Sequence, residues 1–417
     1  MKALTQSING STQSVDFAEP EVEQLLKYST RTQLESLLTA KLSTAQRQQA
    51  LIKSFVDAIS LVLSKTEVAH SQLVGCFELM YEHAVQSMAM ANLSEELLTR
   101  QYISQTGLVM SPLNCRSTIK DAYRIAGFVR GIDKAISSLL KRREKINILY
   151  PACGPFAPLL LPLLTLYQQQ EKIDEGRIKV ILLDVHPGAV TTLNQLIDDL
   201  QLSFCEIVVE ESDAATYQPN FAIDLFVLEA MQHGFTKEGQ FSIAKHLVKF
   251  LALDGLMIPT SISIKAMIVN GDLEFNQQWK NMEFCHSKSL QNVALKDRLE
   301  LGELMLINKS TLLKMEEIEL EDNTRVVTAN KIRLPSGVKD MSNRLFSVYA
   351  QINTFCDEYL NEYDSGITHP RPDMSFYIDA QPKVLDHQHF VVSSGDTVQF
   401  YYQLSGLPGF VPVKVAG

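Results

Sequence analysis

Short apolar segments alternate with helical segments between residues 146 and 259, and this alternation constrains the fold more than any other feature. Five segments have the length and composition of strands; they are residues 146–150, 178–184, 205–210, 223–228 and a fifth that begins at 256. Helical patterns separate them, including residues 189–200 and 240–253. Because strands that alternate with helices pair in parallel, we expect an α/β fold with a doubly wound parallel sheet.

The regions on either side have different patterns. Residues 1–18 are polar and are expected to form a disordered tail, and residues 19–143 are expected to form a helical domain that includes a loop at 111–114 and a helix at 117–140. The sheet domain would occupy residues 144–262. In residues 263–417, turn signals divide four segments that resemble strands, at 312–321, 345–355, 374–378 and 397–404. This last pattern predicts an antiparallel, barrel-like β domain.

Composition limits the classes of function. The chain has 417 residues and a net charge of -10, which argues against nucleic acid or an anionic membrane surface as a partner. It has no apolar run long enough to span a bilayer and no secretory signal at its start. The six cysteines are scattered without a CxxC pair, which indicates a reducing, cytoplasmic environment and no structural zinc site.

Three residues near the strand ends predict nucleotide binding. Gly154 follows the first strand in a tight turn with Ala152 and Cys153, the arrangement of Rossmann-like phosphate-binding elements, although the other glycines are missing. Asp184 ends the second strand and can accept from both hydroxyls of a ribose, or can cap the next helix. Asp213 follows the third strand, where an acid can accept from an adenine amino group.

Two glutamates follow the fourth strand. Glu229 ends that strand, and Glu238 lies nine residues later on the loop or helix that follows. A carboxylate at the end of a parallel strand points into the crevice where such folds bind ligands. Two facing carboxylates can hold a planar cation through charge-assisted, bidentate hydrogen bonds. We therefore predict that Glu229 and Glu238 form a clamp for a cationic group, with His233 or a group on the C-terminal β domain as the proton acceptor.

Taken in order, the glycine turn, the two acids and the paired glutamates resemble class I S-adenosylmethionine-dependent methyltransferases. The segment Glu229-Ala-Met231, with Glu238 nine positions after Glu229, resembles the double-E loop of the protein arginine methyltransferase branch. Asp254-Gly-Leu-Met-Ile-Pro259 resembles the strand that follows this loop, and Ile119-Lys-Asp121-Ala-Tyr-Arg124 resembles the family's helix before the first strand. The resemblance covers roughly residues 105–417.

The resemblance implies a cofactor and a set of contacts. It implies S-adenosylmethionine as cofactor, bound by residues 144–262, with Arg124 at the cofactor carboxylate. The residues expected to contact the cofactor are Arg124, Tyr150, Ala152, Cys153, Gly154, Asp184, Val185, Asp213, Ala214 and Glu229. The family commonly dimerises through an arm on its barrel, so a homodimer is one expected assembly.

The chain also departs from the family pattern, so three functions stay open. Tyr150 replaces an acid on the first strand, and the threonine-histidine-tryptophan loop is not found, since Thr368-His369-Pro370 lies upstream of the expected place. The first hypothesis is N-methylation of a cationic guanidino or amino group on a small molecule or peptide. The second is O- or C-methylation of a small metabolite. The third is a non-catalytic scaffold or sensor with the same fold.

Overall fold

The structure is a computed structural model that describes residues 6–8, 11–13, 31, 43–64, 68–276, 280, 292–382 and 387–415. The chain divides into two compact units, Met1–Ala50 and Leu51–Gly417. In the first unit, β1 (Gln6–Ile8) pairs antiparallel with β2 (Ser11–Gln13). Most of residues 1–18 lie outside the described residues, so the disordered tail stays a prediction.

Helices and a small hairpin precede the central sheet. In chain order, the elements are α1 (Thr44–Leu63), α2 (His70–Met90), α3 (Glu95–Thr99), β3 (Tyr102–Ile103), β4 (Leu108–Val109), α4 (Pro112–Cys115), a 3-10 turn (Arg116–Lys120) and α5 (Ala122–Leu140). The helix predicted at 117–140 therefore starts at Ala122, where Asp121 accepts from the backbone N–H of Arg124 at the helix N-terminus. The loop predicted at 111–114 is largely the short helix α4, which Ser111 caps and Pro112 starts.

The central sheet has the predicted parallel topology. It contains β5 (Ile146–Pro151), β6 (Ile178–Asp184), β7 (Glu206–Glu211), β8 (Ile223–Val227) and β9 (Leu251–Ile258). Their spatial order is β7-β6-β5-β8-β9, and every neighbouring pair is parallel. The order reverses between β5 and β8. Ligands bind at such a switch point, outside the carboxyl ends of the strands.

Helices connect these strands and explain their apolar composition. The connecting helices are α6 (Leu161–Gln169), α7 (Pro187–Leu200) and α8 (Gln240–Leu247), the last followed by a 3-10 turn (Val248–Phe250). Every residue of β8 is buried, as expected for a strand covered on both faces. The helix predicted at 240–253 ends early because the chain enters β9 at Leu251, five residues before the predicted strand start.

The C-terminal region consists mainly of antiparallel strands, as predicted. One sheet has the order β11-β10-β14-β15, with β16 also paired to β14, and a second has the order β12-β13-β19-β20. The first sheet consists of β10 (Ser261–Asn270), β11 (Leu299–Asn308), β14 (Arg344–Phe355), β15 (Glu358–Leu360) and β16 (Arg371–Pro372). The second consists of β12 (Glu317–Glu319), β13 (Arg325–Arg333), β19 (Thr397–Gln403) and β20 (Gly409–Lys414).

Smaller elements complete this region, and one differs from the prediction. A separate parallel pair is formed by β17 (Phe376–Ile378) and β18 (Phe390–Val392). The short helices are α9 (Gly271–Glu274), α10 (Asn292–Asp297) and α11 (Lys309–Lys314), with 3-10 turns at Met341–Asn343 and Gly366–Thr368. The strand predicted at 312–321 is wrong in its first part, because Asn308 and Thr311 form a capping box that starts α11.

Residues 51–417 share a continuous hydrophobic core. Buried side chains from the helical region, the parallel sheet and the antiparallel sheets belong to one cluster, for example Phe77, Leu149, Phe226, Ile262 and Phe400. The predicted boundaries after 143 and 262 fall close to the starts of β5 and β10 and lie inside this single compact unit. Within the described residues, no helix is long and apolar enough to cross a membrane.

Candidate active site

A strained turn follows β5 at the switch point of the sheet. Ala152 and Gly154 both have positive φ angles, of 48° and 65°. Positive φ costs little for glycine, so Gly154 suits this turn. The backbone N–H of Gly154 donates to Oδ2 of Asp184 at 2.8 Å. The acid at the end of β6 therefore fixes the turn at the end of β5.

Asp184 also fixes the start of the next helix. Its Oδ1 accepts from the backbone N–H of His186, the residue before α7, at 2.8 Å. Burial raises the pKa of this carboxyl, and the N–H donors of His186 and Gly154 oppose the rise. Asp184 thus fixes the residue before the helix, while the N-cap itself is His186, whose Nδ1 accepts from the backbone N–H of Gly188. The ribose contact stays a prediction.

A small cavity lies over the ends of β5, β6 and β7. Its volume is about 110 Å³, and it brings together six of the predicted cofactor residues, which are Ala152, Gly154, Asp184, Val185, Asp213 and Ala214. The tip of the β3–β4 hairpin forms the opposite wall with Ser104, Thr106 and Gly107. Asp213 accepts from the backbone N–H of Ala215 at 2.9 Å, and this bond fixes the turn after β7.

A second cavity continues from the first toward the end of β8. Its volume is about 410 Å³, and its walls include the other predicted residues, which are Arg124, Tyr150, Cys153, Glu229, His233 and Glu238. Ala152, Gly154 and Glu238 border both cavities, as do Met110 and Cys115. The two cavities therefore form one cleft along the carboxyl ends of the strands.

Arg124 and Glu229 form a buried ion pair at the floor of the larger cavity. Nη1 of Arg124 donates to Oε2 of Glu229 at 3.1 Å, with side-chain exposures of 13% and 7%. Nη2 of Arg124 lies 3.0 Å from Oδ2 of Asp121. The neighbouring carboxylates raise the pKa of Arg124 despite its burial. This guanidinium therefore stays charged and pairs with both Asp121 and Glu229, and its single positive charge offsets one of their two negative charges.

Glu238 is the carboxyl that Arg124 does not contact. Burial, and then the charge of Glu229, raise the pKa of Glu238 to about 7. The side chain of Gln232 hydrogen-bonds to this carboxyl and, like the charges of Arg124 and Lys237, opposes the rise. At neutral pH, Glu238 therefore exchanges its proton readily. A cation in the cavity would favour the ionised form.

Backbone hydrogen bonds within the Glu229–Gly239 loop, and from the loop to two other segments, fix its conformation. Residues Gln232 and Thr236 form an antiparallel bridge within it. The N–H of Leu108, on the β3–β4 hairpin, donates to the carbonyl of Lys237 at 2.7 Å, and the N–H of Lys237 donates to the carbonyl of Pro408 at 2.8 Å. A Cβ on Gly107 would lie 2.7 Å from the carbonyl carbon of Glu238, so only glycine fits there.

His233 lies exposed at the mouth of the larger cavity. Loss of hydration around the ring and the positive charges of Arg371 and Lys237 lower the pKa of His233 to about 4. The imidazole is therefore neutral at pH 7 and only weakly basic. A carboxyl with a pKa of about 7 matches proton transfer at neutral pH better, which favours Glu238 over His233 as the proton acceptor.

Tyr150 and Cys153 form the buried base of the turn after β5. Burial raises the pKa of both groups well above their usual values. The thiol of Cys153 donates to the carbonyl of Leu183 at 3.4 Å. A thiol that is buried and protonated in this way packs as a small residue and is not a nucleophile. In the described residues, no group of three or more metal-ligating side chains is placed to hold an ion.

A loop from the C-terminal region completes the floor, and the sequence did not predict this contact. Oγ of Ser365 donates to Oδ2 of Asp121 at 2.7 Å, and the backbone N–H of Gly366 donates to the same oxygen at 3.2 Å. Gly366 and Ile367 line the larger cavity. Thr368-His369-Pro370, which the sequence places in a turn upstream of the expected position, follows this contact, and the His369 ring packs against Tyr363 in a tilted arrangement with ring centroids 5.0 Å apart.

Other site residues were also missed by sequence reasoning. These are Met110, Asn114, Cys115, Ser117, Thr118 and Gln232, all of which line the larger cavity. Most belong to the segment between the hairpin and α5. The only local signal was Thr106-Gly107 between two short apolar pairs, which indicates a hairpin turn. Nothing in the sequence showed that this hairpin contacts the Glu229–Gly239 loop.

Comparisons with known proteins give structural likenesses only. No family model and no curated protein matches the chain. The Trypanosoma brucei PRMT1 enzyme-prozyme heterotetrameric complex with AdoHcy is similar at 11% identity and a TM-score of 0.41, over 72% of this chain and 96% of that chain. Arabidopsis thaliana protein arginine methyltransferase 10 is similar at 10% identity and a TM-score of 0.38, over 70% and 87% respectively. Because both TM-scores are low, the fold assignment rests on the strand order of the chain itself.

Proposed function

We propose that this chain is an S-adenosylmethionine-dependent methyltransferase that N-methylates a cationic guanidino or amino group of a small molecule or peptide. The observation that carries the proposal is the convergence of Glu229 and Glu238 on one cavity at the switch point of a parallel sheet. That cavity continues into a second one lined by Asp184 and Asp213. A cleft with an acceptor end and a cofactor end is what methyl transfer requires.

Charge in the larger cavity supports a cationic acceptor. Asp121, Glu229 and ionised Glu238 carry three negative charges, and Arg124 supplies one positive charge. An acceptor cation would reduce this imbalance. A planar guanidinium could donate to both glutamates at once, and such charge-assisted bonds are shorter and stronger than neutral ones. The pair would thereby orient one nitrogen toward the cofactor end of the cleft.

The cofactor end fits S-adenosylmethionine in the chemistry of its walls. Val185 and Ala214 provide apolar contact, Asp213 and Asp184 are acceptors for amino and hydroxyl groups, and Gly154 permits close approach of the backbone. Arg124 would bind the carboxylate of the cofactor. When bound, the cofactor supplies an electrophilic methyl group, and transfer depends mainly on how well the acceptor is positioned.

The residues of the chain would bind, orient and then receive a proton. Glu229 is held by Arg124 and would fix one edge of the acceptor. Glu238, with its pKa of about 7, would hold the other edge and accept the proton that the methylated nitrogen releases. Gln232 keeps this carboxyl in place through its hydrogen bond.

The same pKa supports a second candidate, O- or C-methylation of a small metabolite. A half-buried carboxyl that accepts a proton near pH 7 suits a general base toward a hydroxyl or a carbon acid. In that case Glu229 would contribute only through Arg124. The two candidates differ in the ligand that the cleft should bind. N-methylation requires that a cationic guanidino or amino compound binds, whereas O- or C-methylation does not.

Calorimetry separates these functions from a non-catalytic scaffold or sensor. S-adenosylmethionine and S-adenosylhomocysteine should both bind, and a panel of guanidines and amines should then bind to the protein saturated with S-adenosylhomocysteine. Glu229→Gln and Glu238→Gln should each weaken acceptor binding, whereas Glu319→Gln, an exposed position on β12, should not. Absence of cofactor binding at millimolar concentration would reject both enzyme functions. Turnover that survives both substitutions would reject the clamp.

A further inference from the structure

Two cations lie near His233, which lines the larger cavity. Arg371 begins β16, Lys237 directly precedes Glu238, and both lie close enough to His233 for their charges to act on its imidazole. In the part of the chain that the structure describes, neither side chain has an ion pair or a side-chain hydrogen bond. Free cations next to an acidic cavity are unexpected in a chain with a net charge of -10.

The loop that carries the paired glutamates is shaped to admit Arg371. Gly234 has a φ of 68°, and a Cβ at this position would lie 3.1 Å from both Cβ and Cδ of Arg371. The stem of Arg371 therefore runs against the turn between Gln232 and Thr236. This contact places the aliphatic stem of Arg371 beside Gly234, the residue that follows His233 on the loop.

We propose that the acceptor is a free, amino-acid-sized zwitterion whose cationic end lies between Glu229 and Glu238 and whose carboxylate binds Arg371, with Lys237 as a second cation. The proposal rests on the proposed function and specifies its substrate class. It assigns an anion-binding subsite to the mouth of the cleft, where a guanidinium can bind a carboxylate through two parallel hydrogen bonds.

The dimensions agree with a molecule of this size. An extended guanidino acid such as arginine separates its guanidinium carbon from its carboxylate carbon by about 7 Å, because six bonds of roughly 1.5 Å follow a staggered chain. The cavity volume of about 410 Å³ is also in the range of small-molecule sites.

The placement of the negative glutamates and the positive Arg371 and Lys237 also selects against other acceptors. A molecule with only a cationic group would gain from the glutamates but be repelled at the mouth by Arg371 and Lys237. An arginine within a polypeptide presents neutral amides where the free amino acid presents a carboxylate. Discrimination therefore arises from attraction of one molecule and repulsion of its competitors.

Paired ligands test this inference in the protein saturated with S-adenosylhomocysteine. L-arginine is compared with agmatine, and guanidinoacetate with methylguanidine, since each second compound lacks the carboxylate. The carboxylate-bearing member of at least one pair should bind about 10-fold or more tightly. Equal or tighter binding of agmatine and methylguanidine would overturn the inference but leave the cationic clamp standing. If no guanidine or amine binds at all, the proposed function fails as well.

Substitutions then assign the effect to Arg371. Arg371→Met keeps an unbranched stem against Gly234 and should weaken binding of the carboxylate-bearing ligand by about 10- to 100-fold, the usual effect of a charged hydrogen bond. Binding of S-adenosylhomocysteine should be unchanged, which also shows that the cleft is folded, and agmatine, which Arg371 repels, should bind no more weakly than before. Arg333→Met, an exposed arginine on β13, is the matched control. Equal weakening of both members of a pair, or weaker cofactor binding, would contradict the assignment.

Discussion

Replacing Glu238 with glutamine should stabilise the protein at alkaline pH, although it removes a residue of the proposed site. The pKa of Glu238 rises from 4.5 to about 7 in the folded protein. Each pH unit between these values corresponds to roughly 1.4 kcal/mol. Ionised Glu238 therefore lowers the free energy of unfolding by about 3 kcal/mol once the pH exceeds 7.

The sign follows from the proton balance. Between pH 4.5 and about 7, the folded protein keeps a proton that the unfolded chain has released, so the free energy of unfolding falls as pH rises. Below pH 4.5 Glu238 is protonated in both the folded and the unfolded protein, so it no longer lowers the free energy of unfolding. Glutamine has the same shape and no charge. Glu238→Gln should therefore match the wild type near pH 4.5 and be more stable at pH 8, by up to about 3 kcal/mol.

Urea unfolding followed by circular dichroism at pH 5 and pH 8 measures this difference in stability. The comparison requires that the free energy of unfolding depends on urea concentration with the same slope in both proteins. Glu229→Gln is the contrasting variant, because it leaves Arg124 and Asp121 imperfectly paired in a buried position. It should destabilise the protein by about 3 kcal/mol at pH 5. The loss should be smaller at pH 8, because removal of the Glu229 charge also lowers the pKa of Glu238. A loss of stability in Glu238→Gln at pH 8, or a difference that does not change with pH, would refute the reasoning.

Three further predictions concern the cleft. Affinity for a cationic acceptor should rise as pH increases from 6 to 8, with a midpoint near the Glu238 pKa of about 7, and calorimetry should show a flat profile in Glu238→Gln. Gly154→Ala should cost about 1–2 kcal/mol of stability in urea unfolding because of its φ of 65°, and should weaken S-adenosylhomocysteine binding. Gly107→Ala should push the β3–β4 hairpin away from Glu238 and lower turnover in a methyl-transfer assay, whereas Gly176→Ala, which has open space around it, should not.

The sequence predicted the central sheet because its signals are local. Fully buried parallel strands appear as short apolar runs, and the acids at their ends stand out against that background. Asp184 is the last residue of β6, and Glu229 lies two residues after the end of β8. Short elements were less predictable, since residues 309–314 carry too few turns to distinguish a helical period from an alternating one.

The contacts that complete the site join segments far apart in the chain. Asp121 binds Ser365 and Gly366 across more than 240 residues, and the β3–β4 hairpin reaches the loop at Lys237. No local pattern encodes such pairings, because each depends on how two sheets and a helix pack. The raised pKa of Glu238 is equally a product of burial, which a motif does not report.

A crystal structure of the ternary complex with S-adenosylhomocysteine and the tightest-binding guanidine tests the central claim most directly. The account predicts guanidinium nitrogens at about 2.7–2.9 Å from carboxylate oxygens of both Glu229 and Glu238, the range of charge-assisted hydrogen bonds. A guanidinium bound outside the larger cavity, or one that contacts neither glutamate, would contradict it.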